Sequence, residues 1–357
     1  MRKYNPENER IKRKYLVFQE QARRQSEASV DAMAKSLSRF EQYTQWKDFK
    51  KFHYEQAIGF KKRLCATTNE QTGKPLSKST INSTLSHLKR FFEWLSQQSG
   101  YKSRINYSDA EYFNLSEKDV RIASASRPRP FPTLEQVKHV LVQMPVENAL
   151  QRRDRALIAF TLLTGARDSA IASMSLKHVD LSQDCVFQDA RDVSTKASKT
   201  FLTYFFPVGD EVHEIFVSWL NFLINEMRWG NEDPLFPSTE ISLRSGKFAP
   251  SGLKREHWKT TGPIRDVFRN AFEAAGLPYF NPHSFRKTLV QLAEQRCRTP
   301  EEFKAWSQNL GHENVMTTFL SYGEVSPSRQ QSILCQKFDG EIEDRDQLIS
   351  AIRKLVN

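Results

Sequence analysis

Cysteine is scarce in this chain and never paired. Cys65, Cys185, Cys297 and Cys335 stand far apart and form no C-x-x-C motif. That spacing argues against a disulfide framework and against a cysteine zinc site, and it fits a reducing cytoplasm. No apolar run approaches the length needed to cross a bilayer, so no membrane partner is expected. The N-terminus, MRKYNPENERIKRKY, is polar and charged and lacks the apolar stretch of a secretory signal. Internal repeats and long low-complexity tracts are missing too. So is any cluster of carboxylates or of cysteine and histidine that would suggest a metal, and no cofactor is expected.

What remains is a basic chain with a globular composition. Its 357 residues are 39% hydrophobic and 27% charged, enough for two domains with their own cores. Lysine and arginine number 53 against 42 aspartates and glutamates, a formal net charge of +11. An excess of this size points to a polyanion partner, most often nucleic acid.

The first third reads as helical. In SKSTINSTLSHLKRFFEWLSQQSGY the residues Ile81, Leu85, Leu88, Phe92 and Leu95 recur at spacings of three and four, the stripe of an amphipathic helix. Ser77 or Ser79 can cap its start and Gly100 its end. The stretch SVDAMAKSLSRFEQYTQWKDFKKFHYEQAIGFKKRL predicts two more helices. Lys61, Lys62, Arg63, Lys78, Lys89 and Arg90 lie in or beside these helices, off the apolar stripes, as candidate phosphate contacts. ASASRPRPFPT, residues 123–133, has three prolines and no periodicity and reads as an interdomain linker between residues 1–122 and 134–357. Its Arg127 and Arg129 could lie along a phosphate backbone, and Lys287 is a further candidate contact. Thr133 and Gln136 then predict a capping box.

The second part mixes periods. RRDRALIAFTLLTGARDSAIASMSL reads as helix, turn, helix. CVFQDARDVSTKASKTFLTYFFPV looks extended, two strands around a polar T-K-A-S-K turn. Beyond Val208 the chain returns to helices, the last of them a tail from about residue 340. The expectation is a mainly α chain with one small antiparallel sheet.

The chemistry concentrates in five places. Arg167 stands in LLTGARDSA. Lys196 and Lys199 sit in the strand connection. NPHSFRKT carries His283 and Arg286, and LGHENVMTTFLSY carries His312 and Tyr322. Taken singly, each has a structural explanation: an ion pair, a solvated turn, a helix cap, an edge of the core. Their order is more specific. An arginine, a lysine-bearing hairpin, H-x-x-R, L-G-H and a tyrosine ten residues on resembles the tyrosine recombinases, or phage integrases. The basic helical N-terminal part also resembles that family's core-binding domain.

The resemblance implies a two-domain DNA clamp, an N-terminal core-binding domain plus a catalytic domain. It implies a site-specific recombinase in which Tyr322 attacks a DNA phosphodiester, forms a 3′-phosphotyrosyl link and frees a 5′-hydroxyl, without metal or ATP. Arg167 and Arg286 would bind the non-bridging oxygens, His283 would serve as acid and base, His312 would hold the phosphate or assist, and a hairpin lysine would protonate the leaving oxygen. A T-K pair matches Lys196 and the distance to Pro207 matches Lys199. Partners would be double-stranded DNA recombination sites, three further copies in a tetramer that passes through a Holliday junction, and accessory DNA-bending proteins. A mobile element and a nucleoid location in the cytoplasm follow from the same resemblance. A type IB topoisomerase and a non-catalytic DNA-binding protein are the rival readings. The chain departs from the family pattern at Ala170, where an acidic residue is common, so Asp168 becomes the candidate to orient Arg167. The step from His312 to Tyr322 is also one residue longer than usual.

Overall fold

The computed structural model describes residues 4–69, 73–125, 130–195, 198–244, 247–312 and 331. The chain divides into two compact units, residues 1–126 and 127–357. Both are mainly helical.

The first unit contains α1 (Pro6–Val17), α2 (Glu27–Tyr43), α3 (Tyr54–Ala66), α4 (Lys78–Leu95), a 3₁₀ segment (Tyr107–Phe113) and α5 (Glu117–Ser124). The stripe foreseen on α4 is buried, with Ile81, Leu85, Leu88, Phe92 and Leu95 all at most 2% exposed. Each large apolar side chain so buried contributes about 1.5–3 kcal/mol relative to exposure. Ser77 Oγ accepts the Thr80 N–H at 3.1 Å and starts the helix, which is capped at Ser96, ahead of Gly100. Phenylalanines fill the centre: Phe52 stacks on Phe92 at 3.7 Å, and Phe40 meets Phe60, Phe92 and Phe113 edge-on. Helix α1 has no apolar stripe to announce it. Ile11 and Tyr15 nonetheless enter this core, Tyr15 against Phe91 and Trp94, and polar groups hold the helix as well. Asn8 donates to the Lys47 carbonyl at 2.9 Å and accepts from the Phe49 N–H at 3.0 Å, and Lys12 pairs with the buried Glu41.

Three of the candidate phosphate contacts are engaged inside this unit. Lys61 donates to the carbonyls of Tyr112 and Asn114 at 2.9 and 2.8 Å. Lys89 meets Glu111 at 2.9 Å, and Lys78 meets Asp119 at 2.8 Å. These cations pin the 3₁₀ segment and α5 against α3 and α4. Of the six cations read as candidate phosphate contacts, these three already have partners inside the unit, and a cation paired with a carboxylate, as Lys78 and Lys89 are, gains less from a phosphate. Lys62, Arg63 and Arg90 are exposed.

The second unit is built round α7 (Ala149–Thr164), whose residues Ala156 to Leu163 are all at most 2% exposed. A helix apolar on every side belongs in the middle of a core. Before it, α6 (Leu134–Gln143) opens on the Thr133–Gln136 capping box. After it come α8 (Asp168–Ser173) and a three-stranded antiparallel sheet of β1 (Val179–Asp180), β2 (Cys185–Gln188) and β3 (Phe201–Tyr204). Cys185 faces Tyr204 and Gln188 faces Phe201, so the connection from β2 to β3 spans residues 189–200. Helices α9 (Asp210–Asn221), α10 (Gly262–Ala274), α11 (Phe285–Arg296) and α12 (Pro300–Asn309) follow.

The all-helical expectation beyond Val208 fails at one place. β4 (Ser238–Arg244) and β5 (Lys247–Lys254) form a separate antiparallel hairpin with Leu243 opposite Phe248. Ile241, Leu243 and Phe248 are exposed. The alternation of Ile241 and Leu243 with polar neighbours is the signal for it, too short to outweigh the helical stretches on either side. The proposed tail helix from about residue 340 lies outside the described residues.

Candidate active site

Arg286 is the anchor. It lies in the first turn of α11 and is 6% exposed. One guanidinium nitrogen, Nη1, donates to the Gly165 carbonyl at 2.7 Å; the other, Nη2, donates to the Leu310 carbonyl and to His312 Nε2, the latter at 2.8 Å. Both carbonyls terminate helices, α7 and α12, where backbone oxygens have no intrahelical partner and the helix dipole is negative.

The geometry of those two helix ends explains the glycines. Gly165 has φ +59°, and a Cβ there would come within 2.8 Å of Leu310 Cδ2 and 3.0 Å of Leu289 Cδ1. At the other end, L-G-H is a Schellman cap: Gly311, at φ +68°, donates its N–H to the Gln308 carbonyl at 2.7 Å, and His312 donates its N–H to the Ser307 carbonyl at 3.2 Å. A Cβ on Gly311 would strike the Phe201 ring at 2.7 Å. Leu310 is fully buried, and the cap aims His312 at Arg286. A guanidinium only donates, so His312 Nε2 accepts, and the neutral imidazole carries its proton on Nδ1.

Arg167 is the second cation. It precedes α8 and is partly buried, and among the described residues its guanidinium has no hydrogen bond or ion pair. Burial first, and then the Arg167 charge, push the Arg286 pKa down to about 9, which leaves it protonated at neutral pH. Burial also lowers that of Arg167. No carboxylate among the described residues offsets the pair. Asp168 is spoken for: it accepts from Arg265 Nε and Nη2 at 2.9 and 2.7 Å. The reading of Asp168 as the group that orients Arg167 is corrected on that ground.

His283 stands in the 3₁₀ turn Pro282–Ser284, one turn before Arg286, and is exposed. Lys199 is half-buried at the foot of β3, and Lys287 is half-buried on α11. Tyr322, Lys196, Arg127 and Arg129 lie outside the described residues. Among those described, no three His, Cys, Asp or Glu side chains are grouped to hold a metal ion.

Sequence reasoning missed the residues that tie the site's parts together. Asn309 Oδ1 accepts the Tyr204 N–H at 2.7 Å, and its Nδ2 donates to the Tyr204 carbonyl at 2.9 Å. This side-chain amide joins α12 to β3 as a neighbouring strand would. Between β3 and α12 lies a groove of about 980 Å³ lined by Phe201, Phe206, Trp306 and His312 among others. Ser169 and Ser173 of α8 hold the β2–β3 connection at Ser194. The only signal for any of these is their nearness to the arginine and the L-G-H motif.

The sequence pattern of the phage integrase family matches residues 133–329, more than half of the chain. The chain belongs to the phage integrase family. These are the tyrosine recombinases, enzymes that cleave and rejoin DNA strands. The tyrosine recombinase XerC of Escherichia coli O157:H7 is 24% identical over 253 residues, covering 69% of this chain and 70% of the relative. Among solved structures, a lambda integrase dimer bound to a COC′ core site aligns with a TM-score of 0.60 at 13% identity, over 94% of this chain and 80% of that one. The XerH site-specific recombinase on palindromic difH aligns at 0.59 and 16% identity, over 88% and 81%. The Tn1549 transposon integrase with circular intermediate DNA aligns at 0.57 and 16% identity, over 92% and 99%. The likeness extends across both units of the integrase fold.

Proposed function

We propose that this family member is a site-specific recombinase whose Arg167 and Arg286 hold one backbone phosphate while Tyr322 attacks it. The observation that carries the reading is the pair of neighbouring cations, one buried, with no carboxylate to balance them among the described residues. Two like charges kept together, one of them out of water, call for an anion between them. Three of the five N–H donors of Arg286 go to Gly165, Leu310 and His312, which fixes the guanidinium and leaves two for a phosphate oxygen. Negative charge grows on those oxygens in the transition state, where fixed donors act most strongly.

His312 then serves as a brace for Arg286, since the nitrogen it turns to the site already accepts from the arginine. The acid/base role for the tyrosine proton falls to the exposed His283. A lysine of the β2–β3 connection, Lys196 or Lys199, protonates the departing 5′-oxygen. The bond to phosphorus passes to the tyrosine, and the ester energy is kept for rejoining. Residues 1–122 form the other jaw of the clamp, with Lys62, Arg63 and Arg90 on phosphates. The linker arginines Arg127 and Arg129, and Lys287, add to them. Four copies assemble on paired sites and exchange strands through a Holliday junction. The setting is a mobile element in nucleoid DNA of the cytoplasm, with accessory DNA-bending proteins assisting.

The test is covalent capture. A randomised pool of duplexes, nicked near the centre so that cleavage cannot reverse, is incubated with the protein and resolved under denaturing conditions. Wild type should form a protein–DNA adduct whose DNA shares one sequence, and Tyr322→Phe should form none. Wild type and variant behaving alike would sink the proposal.

A further inference from the structure

The connection between β2 and β3 is anchored beside Arg167 by two hydroxyls. The Ser194 N–H donates to Ser173 Oγ at 2.8 Å, and Ser169 Oγ donates to the Ser194 carbonyl at 3.1 Å. Ser169 and Ser173 are four residues apart and share one face of α8, the helix that begins just after Arg167. Ser173 Oγ donates in turn to the carbonyls of Ala170 and Ser169, at 3.1 and 3.2 Å, so its lone pair is set towards Ser194. Both polar backbone groups of one residue are thus held by a single helix face, in opposite senses. Farther up the connection, Asp189 accepts from the Arg191 N–H at 2.9 Å, and Ala190 donates its N–H to Thr200 Oγ1 at 3.0 Å. Residue 194 is therefore a fixed point between a braced turn and the lysines that follow it.

We infer that Ser169 and Ser173 are positioning residues for the general-acid lysine: they set the register of the β2–β3 connection against Arg167. The inference rests on the recombinase reading above. The two serines flank Ala170, and the side chains on either side of it make the link between this helix and the connection. As the Tyr322 oxygen bonds to phosphorus, the P–O5′ bond breaks and the departing oxygen takes a proton from the lysine ammonium. An acid displaced by an ångström loses much of its effect, whereas the phosphate grip of Arg167 and Arg286 is untouched.

That separation can be read directly. The duplex recovered by covalent capture is made in two forms, one with the ordinary scissile phosphodiester and one with sulfur in place of the bridging 5′-oxygen. A thiolate departs without a proton. Ser169→Ala/Ser173→Ala should cut the oxygen duplex about tenfold more slowly than wild type in a single turnover, a fraction of what a general acid supplies, and the sulfur duplex within about twofold of wild type. Ser169→Thr/Ser173→Thr keeps both hydroxyls and should restore the oxygen rate. Ser169→Ala alone removes one of the two contacts and carries the same comparison should the double variant melt below assay temperature. Equal losses on both duplexes, or no loss on either, would overturn the inference while leaving the recombinase reading intact. A wild-type protein that cuts neither duplex would overturn that reading, and this inference with it.

Discussion

Replacing Arg286 by glutamine separates the two jobs of that residue. Structurally, its guanidinium satisfies the Gly165 and Leu310 carbonyls and braces His312. Glutamine is shorter and has two N–H donors for the three acceptors, so at least one of the Gly165 carbonyl, the Leu310 carbonyl and His312 Nε2 loses its partner, at a cost of about 1–3 kcal/mol. Against that, a buried cation next to Arg167 disappears, and with it a desolvation cost of several kcal/mol. The two terms oppose each other, and a net change of no more than about 2 kcal/mol, or about 4–8 °C in Tm for a unit of this size, is expected. Chemically nothing opposes the loss. A fixed donor to transition-state charge is worth about 10²–10³ in rate, or about 2.7–4 kcal/mol. Adduct formation on the captured duplex, followed in a single turnover well below the variant's own Tm, should fall by that factor, while circular dichroism shows the helices in place. A folded Arg286→Gln protein that cleaves within about tenfold of wild type would refute the argument, because the buried cation would then be a structural strut and not the phosphate's ligand.

The basic helices can be sorted by salt dependence. Lys62→Ala or Arg90→Ala should weaken DNA binding on any sequence and lower the slope of log K against log salt by about one each, whereas Lys89→Ala, which frees Glu111, should lower Tm and leave the slope alone. The reverse pattern in a filter-binding titration would move the interface to the other cations. A second expectation concerns acid. Hydrogen bonds from the Arg191 side chain and backbone hold the Asp189 carboxyl down at about 2. A depressed folded value contributes stability that is fully present above the unfolded carboxylate pKa and fades as pH falls through about 2. Asp189→Asn should therefore lower Tm at pH 6 and match wild type near pH 2, and a constant difference across that range would count against the pairing.

Local pattern decided a good deal here. The stripe on α4 and its Ser77 cap, the Thr133 capping box, the turn at Gly165 and the strands flanking the lysines are short-range consequences of side-chain spacing and backbone freedom, so they are readable from neighbours along the chain. The H-x-x-R and L-G-H motifs are local in the same sense: each is the start or the end of a helix. Nothing along the chain says that the ends of α7 and α12, 145 residues apart between Gly165 and Leu310, supply the carbonyls that hold Arg286. Nor does it say that Asp168 turns to Arg265, that Lys61, Lys78 and Lys89 are consumed by the 3₁₀ segment and α5, or that Ser169 and Ser173 grip Ser194. A hydrogen bond or ion pair has no period. Which of several equivalent cations, hydroxyls or carbonyls pair is settled only when packing brings them within about 3 Å and shuts out water, and for this chain that was the work of the tertiary fold.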